Sequence, residues 1–413
     1  MEVKLDKQTL STLPIFITSM SRCDSEISSA SLALAKVLSR NNKVFYIDYP
    51  YTILDVWRER KLVSVKKRLS ALLFGRNFLW EVEGQSSNFV ALTPLPVLPI
   101  NSFHGILYKL GLHINNKILS FAIKRALKKY GLTDYIFFNS FNPNYLSDIS
   151  KYLKPTLSIY QSRDAIGEIN EYTRSHGVEN ERLCVQNYDL SIATSKELCR
   201  NLTELAHKKI NYFPNGGDIK LFRRAIEEVF SKPVELQKIH TPIIGYTGAV
   251  CQRVDYELLV KIAETHHDKT IVVVGPRQDK LHTSINLDAI PNIVFVGSRK
   301  IDELPYYLQY FDCAIIPFKC NGFTKSIYPL KINEYLASGR SVVTTNFSED
   351  INGFSSSVLI ANNHDEFLQF IDDAITLNTD ALRQKRLNVS ASNSWENRVD
   401  LFWDLVWETY QSK

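Results

Sequence analysis

Short apolar runs of strand length alternate with helix-spaced runs along this chain, and the pattern occurs twice. In the first half, strands are predicted at 14–18, 43–48, 89–92, 135–138, 156–160, 190–194 and 210–213. After the first strand comes a polar loop, 19–25. Ile27, Ala30, Leu34, Val37 and Leu38 then recur at helical spacing. The second half predicts strands at 242–246, 270–274, 292–296, 312–317 and 341–345. Helices are predicted there at 255–265 and 329–338, the second stopping at Gly339. Alternation of this kind implies an α/β fold with mostly parallel sheets and helices on both faces. The 413 residues fit two domains of roughly 100–200 residues each. The boundaries are set at 1–214, an irregular hinge at 215–240, a second domain at 241–393 and a last helical segment at 394–413. Ligands of open parallel sheets bind at the carboxyl ends of the strands, and two such sheets facing each other make a cleft.

Composition serves mainly to exclude. With 45% hydrophobic and 23% charged residues, the chain is neither disordered nor fibrous. It has no run of about 18 apolar residues, so no membrane-spanning helix is expected. The first residues read as the lead-in to a strand and not as a secretion signal. The six cysteines form no CxxC pair and have no histidine cluster beside them. That argues against a zinc site or a disulfide framework and suits a reducing cytoplasm. Neither GxGxxG nor GxxxxGK[ST] occurs, which argues against dinucleotide-dependent dehydrogenases and P-loop kinases.

The net charge of +5 is unevenly spread: residues 1–214 carry 28 Lys+Arg against 19 Asp+Glu, and residues 215–413 carry 21 against 25. Two basic amphipathic stretches, 57–80 and 108–130, hold the excess. Such stretches either pack a core with a solvated basic face or lie on an anionic membrane surface. No nucleic-acid-binding module is present, and none is expected as a partner.

Three post-strand loops of the second half carry glycine, at Gly248, Gly275 and Gly297. Glycine allows a ligand close to the backbone. The segment from Ser326 to Gly339 is more specific. Pro329 suits the first turn of a helix, whose N-terminus favours an anion. Lys325 and Lys331 add cations, and Glu334 shares a face with Lys331. Glu334 could accept hydrogen bonds from vicinal hydroxyls. It could equally form a surface pair with Lys331, worth roughly 0.3 kcal/mol. Spacing alone leaves both readings open.

With these residues in view, the string YPLKINEYLASGRSVVTTNF resembles the donor segment of GT-B glycosyltransferases of the family 4 type. IIGYTGAVCQRVDYELLVKIAETHHDKTIVVVGP is similar to the first βαβ unit of their donor domain. YDLSIATSKELCRNLTELAHKKINYFPNGGDIKLF is similar to the end of their acceptor domain. The nearest subgroup is bacterial enzymes of teichuronic-acid and exopolysaccharide assembly. The resemblance implies a GT-B fold: two Rossmann-like domains facing a cleft, with the last helix crossing back to the first domain. It implies a UDP- or GDP-sugar as co-substrate and a glycan or polyprenyl-linked glycan as acceptor; no motif demands a metal, and no cofactor is expected. Gly248 and Ala249 would lie under the pyrophosphate and sugar, and Arg253 would neutralise a phosphate. Val296 and Gly297 would flank the base. Tyr328, Pro329, Leu330 and Lys331 would form the diphosphate turn, and Glu334 would hold the ribose. Many retaining members carry two glutamates separated by seven residues; here the first position is Ser326.

Sugar transfer needs fixed positive charge at the leaving diphosphate and a placed acceptor hydroxyl. Arg253, Lys325 and Lys331 would supply the charge. Asp164, after the strand at 156–160, is the leading candidate for a general base or an acceptor ligand. Asp24, His176 and Glu181 are further acceptor-side candidates. The expected activity is transfer of a sugar to a lipid-linked glycan in surface polysaccharide synthesis. It would take place in the cytoplasm or at the cytoplasmic face of the membrane. An epimerase of the same fold and a non-catalytic homologue are the alternatives.

Overall fold

The structure, a computed structural model, describes residues 5–25 and 29–413. Ile27 lies outside them. The chain divides into two compact units, one formed by 1–213 with 399–413, the other by 214–398.

Among its described residues the first unit holds eight strands: β1 (Ile15–Ser19), β2 (Val44–Ile47), β3 (Leu79–Glu81), β4 (Phe89–Leu92), β5 (Ile136–Ser140), β6 (Leu157–Ser162), β7 (Leu190–Ala193) and β8 (Asn211–Tyr212). They are ordered β3-β4-β2-β1-β5-β6-β7-β8. All neighbours are parallel except β3, which runs antiparallel to β4. β1 pairs Ile15 with Val44 on one side and with Ile136 on the other. Every residue of β1, β2, β4, β5 and β6 is buried, which is why these strands read as unbroken apolar runs and not as alternating ones.

The second unit holds β9 (Ile243–Thr247), β10 (Thr270–Val274), β11 (Ile293–Gly297), β12 (Cys313–Ile316), β13 (Ser341–Thr345) and β14 (Leu359–Ala361). They are ordered β11-β10-β9-β12-β13-β14 and all run parallel. The strand order reverses between β9 and β12. That is the switch point where a crevice opens beyond the carboxyl ends.

One expectation needs correction, and two features go beyond the sequence reading. The stretch 215–240 is not an irregular hinge. It contains the helix Ile219–Glu227, capped by Asp218, which buries Ile219, Phe222 and Ala225 in the core of the second unit. Strands β3 and β14 were not anticipated; each has three residues and exposes part of its length. The basic stretch 57–80 falls into the end of Ile53–Arg58, then Val63–Lys66 and Leu69–Phe74, then the start of β3, whereas 108–130 lies within a single helix, Gly105–Tyr130.

The final helix, Trp395–Ser412, packs its later turns into the first unit. Phe402 is fully buried there, its ring 5.4 Å from that of Phe138 and 6.2 Å from that of Phe213.

Candidate functional site

In the second unit, the loops after β9 and β10 are zipped together. Gly248 N–H donates to Val274 O at 2.8 Å, and Val250 N–H donates to Pro276 O at 2.9 Å. The backbones lie so close that a Cβ on Gly275 would sit 2.1 Å from Gly248 O. Gly248 itself has φ +129°, and a Cβ there would lie 2.5 Å from Lys331 Cε. The sequence therefore needs glycine at 248 for two reasons: its backbone angle, and the lysine stem laid across it.

Lys331 comes from the first turn of the helix Leu330–Ala337, which follows β12 at the switch point. Its Nζ lies 5.8 Å from the ring centres of both Tyr246 and Phe318. Burial pulls its pKa below the ordinary lysine value, and the nearby Arg253 pushes the same way against Glu334. Arg253 projects from the loop after β9, its guanidinium 5.7 Å from the Phe323 ring. Glu334 stands one turn along the helix from Lys331. Burial raises its carboxyl to about 7, opposed by Lys331. Among the described residues, the side chains of Lys331, Glu334 and Arg253 have no hydrogen-bond or ion-pair partner. Two half-buried cations and a half-buried carboxyl thus meet over the half-buried Gly248–Ala249 backbone without a hydrogen bond or ion pair among them. That arrangement suits an anionic ligand that also carries hydroxyl groups.

The rest of the anticipated loop is less open. Pro329 is the N-cap of the helix and has no N–H, and Leu330 N–H is already bonded to Tyr328 O at 2.9 Å. The diphosphate turn expected from Tyr328, Pro329, Leu330 and Lys331 therefore offers fewer free N–H groups than the sequence suggested. The Tyr328 side chain turns into the core, 6.4 Å from the Phe354 ring, with Asn333 Nδ2 3.4 Å from its hydroxyl. Ser326 is buried as well. Lys325 lines a separate shallow depression of about 270 Å³ with Cys320, Asn321 and Phe347. Ala249 accepts a hydrogen bond from Tyr246 Oη at 3.0 Å, which fixes the loop under Arg253.

Val296 and Gly297 end β11, where the pairing with β10 is shifted by a bulge between Val273 and Val274. Beside them is a feature that sequence reading missed. The Arg277 guanidinium lies 3.7 Å from the Phe295 ring centre and is clamped by Asp279 at 2.7 Å and by Asp288. Held by both carboxylates, the guanidinium forms a flat polar shelf over the Phe295 ring at the edge of the same loops. Arg277 follows Gly275-Pro276 directly after β10, so its post-strand position was the available signal.

In the first unit the anticipated residues do not gather into one centre. Asp24 is removed as a base. Arg68 holds it in a two-pronged pair, at 2.7 and 2.8 Å, and Lys67 adds a contact at 2.7 Å. These cations outweigh burial and bring its pKa down to about 2. Glu181 is removed as a solvent-facing ligand. It is 3% exposed and accepts a hydrogen bond from Tyr160 Oη at 2.8 Å, and burial raises it to about 7. His176 sits in a π-helical turn, Thr173–Gly177, its ring stacked 3.8 Å from that of Tyr108 and 5.6 Å from that of His104. Burial, then His104, lowers its pKa. Asp164 is half-buried just after β6, next to Arg163, which donates to Ser31 Oγ at 2.7 Å. Among the described residues, one cluster has metal-ligand character: Cys23, Asp24 and Asp48. The Arg68 guanidinium already fills it, with Nε 2.9 Å from Asp48.

Residues 241–377 match the family model for glycosyl transferases group 1. A 152-residue stretch is 29% identical to the teichuronic acid biosynthesis glycosyltransferase TuaH of Bacillus subtilis (strain 168). It spans 37% of this chain and 38% of that protein. Over 97% of this chain and 98% of the other, the fold is similar to an α,α-trehalose-phosphate synthase (UDP-forming) from Burkholderia vietnamiensis, with TM-score 0.66 at 10% identity. It is also similar to Anabaena Alr3699/HepE in complex with UDP and glucose, with TM-score 0.60 at 14% identity, covering 95% and 99% of the two chains. These likenesses establish the GT-B fold.

Proposed function

We propose that this GT-B chain, whose second unit carries a glycosyl transferases group 1 domain, moves a sugar from a nucleoside-diphosphate sugar to a glycan acceptor. One observation carries the reading. Arg253 and Lys331 converge on the Gly248 loop with Glu334 beside them, and among the described residues none of the three side chains is held in a hydrogen bond or ion pair.

A diphosphate placed there would meet both cations at the moment it leaves the sugar, when its charge is growing. Lys331 and Arg253 bind and stabilise that charge; the half-buried setting strengthens the attraction. Glu334 accepts hydrogen bonds from the ribose hydroxyls and sets the donor's orientation. The Gly248–Ala249 backbone lets the sugar approach, and the Val296–Gly297 edge with the Arg277–Phe295 shelf receives the base. Uridine is favoured as that base, since two solved relatives of this fold are described with UDP. Asp164 remains the acceptor-side group to test, either as base or as hydroxyl ligand. The acceptor is a lipid-linked glycan of surface polysaccharide synthesis, a reading supported by the partial likeness to TuaH and by the basic first unit.

Calorimetric titration with a panel of nucleoside diphosphates tests the donor site. Micromolar binding of UDP that is much weakened in Glu334→Ala is the expected result. No binding of any nucleotide overturns the assignment.

A further inference from the structure

The first unit carries a surface that its own packing leaves uncovered. On the Gly105–Tyr130 helix, Ile106, Leu107, Leu110, Ile114 and Phe121 face solvent, Ile106 with 84% and Leu107 with 66% of its surface exposed. At the helical repeat these five fall on one stripe about 100° wide. Lys117, Lys124 and Lys128 fall on the same stripe and are exposed too. The opposite side of the helix, with Leu119, Ile123 and Ala126, is in the core. The helix is therefore amphipathic in an unusual way: it has an inner apolar face and an outer one studded with lysine.

The short helices before it extend this surface. Trp57, Val63, Leu73 and Phe74 are exposed, among Arg58, Arg60, Lys61, Lys66 and Arg76. Contacts join the two regions. Arg125 on the long helix donates to Gly75 O at 2.9 Å and lies 5.7 Å from the Phe121 ring. Ile53 N–H bonds Val97 O at 3.1 Å, and the adjoining Leu98 backbone is held by Asn115 at 2.8 and 3.0 Å. Across residues 60–133 there are twelve Lys or Arg and only two carboxylates, Glu81 and Glu83.

We infer that this face lies on an anionic lipid bilayer. The apolar groups and cations are interleaved along a helix roughly 39 Å long and are not gathered into a groove that would grip a protein segment. Large apolar side chains can enter the headgroup boundary while lysine stems reach back to phosphates. Trp57 stands where an indole would anchor at the interface. The bilayer contact is drawn from the surface itself. Its purpose, bringing the first unit to a lipid-linked acceptor, rests on the transferase reading.

The test is cosedimentation of the full chain with phosphatidylglycerol-containing vesicles and with phosphatidylcholine vesicles. Binding is expected to the anionic vesicles only, to be lost at high salt, and to be roughly a hundredfold weaker in Lys117→Glu/Lys124→Glu/Lys128→Glu. Leu107→Ser/Leu110→Ser should weaken it as well. All five positions are exposed, so the fold is retained. A blue shift of tryptophan emission on vesicle addition, reduced in Trp57→Phe, is the second readout. No binding, equal binding to both vesicles, or variants that bind like the parent overturn the inference. So does a lipid-free dimer that the same variants dissolve, which would give the face to a second copy. UDP titration of the same samples keeps the two readings apart. Loss of nucleotide binding with vesicle binding intact defeats only the transferase reading, and the reverse defeats only this one.

Discussion

Glu334 shows how a single carboxyl ties the site to pH. Its pKa of about 7 lies above the ordinary glutamate value because the folded chain shields it from water. The native state therefore holds its proton more tightly than the unfolded chain does. Stability from this group is present at low pH and falls as pH rises from about 4.5 to 7. Nucleotide binding should run the other way, since only the ionised form accepts fully from a diol. UDP affinity is expected to rise several-fold between pH 6 and 8 in the parent and less steeply in Glu334→Gln, where only the terminal phosphate of UDP still titrates, as read by calorimetry at each pH. Gly248→Ala makes a complementary test. The new methyl group would displace the Lys331 stem and strain a backbone at φ +129°. A loss of about 1–3 kcal/mol of stability and a large drop in UDP affinity are expected from thermal melts and titration. The sequence made Lys331 and Glu334 legible because their spacing is local to one helix. It could not reveal Asp24's partner, because Arg68 lies 44 positions away and only the folded sheet brings them together.

The pairing of elements across the first unit depends on that same arginine. Arg68 precedes the helix Leu69–Phe74 and reaches inward to Asp48 at the end of β2 and to Asp24 in the loop after β1. Thr93 Oγ1, just beyond β4, donates to Asp48 at 2.8 Å. Three segments are thus pinned by one buried cation. Removing it leaves the buried Asp48 without a cation, while Asp24 keeps Lys67, so Arg68→Leu is expected to cost about 3–5 kcal/mol in denaturant unfolding. The long apolar strands were readable because burial on both faces gives them a continuous signal. β3 was hidden at the end of a basic stretch whose preceding residues, through Phe74, are helical. The Ile219–Glu227 helix was hidden by its brevity, although Asp218 and the spacing of Ile219, Phe222 and Ala225 carry the ordinary marks of a capped amphipathic turn.

At the scale of the whole molecule, a chain that looks like two consecutive domains is not built as two consecutive stretches. Residues 399–413 belong to the unit that begins the sequence, and Phe402 closes its core against Phe138 and Phe213. Phe402→Ala is expected to cost about 3–5 kcal/mol in the first unit's unfolding transition while leaving UDP affinity in the second unchanged. Calorimetric scans with and without UDP separate the two transitions, because ligand raises only the unit that binds it. The arrangement also sets an order of events during synthesis. The sheet from β1 to β8 leaves the ribosome long before Phe402 is made, and the entire second unit is translated in between. The first unit therefore stays unfinished, with an apolar face open beside Phe138 and Phe213, until synthesis passes residue 399. Its period of greatest exposure to aggregation, and to any chaperone that shields such faces, is set by the time needed to make the other half of the protein.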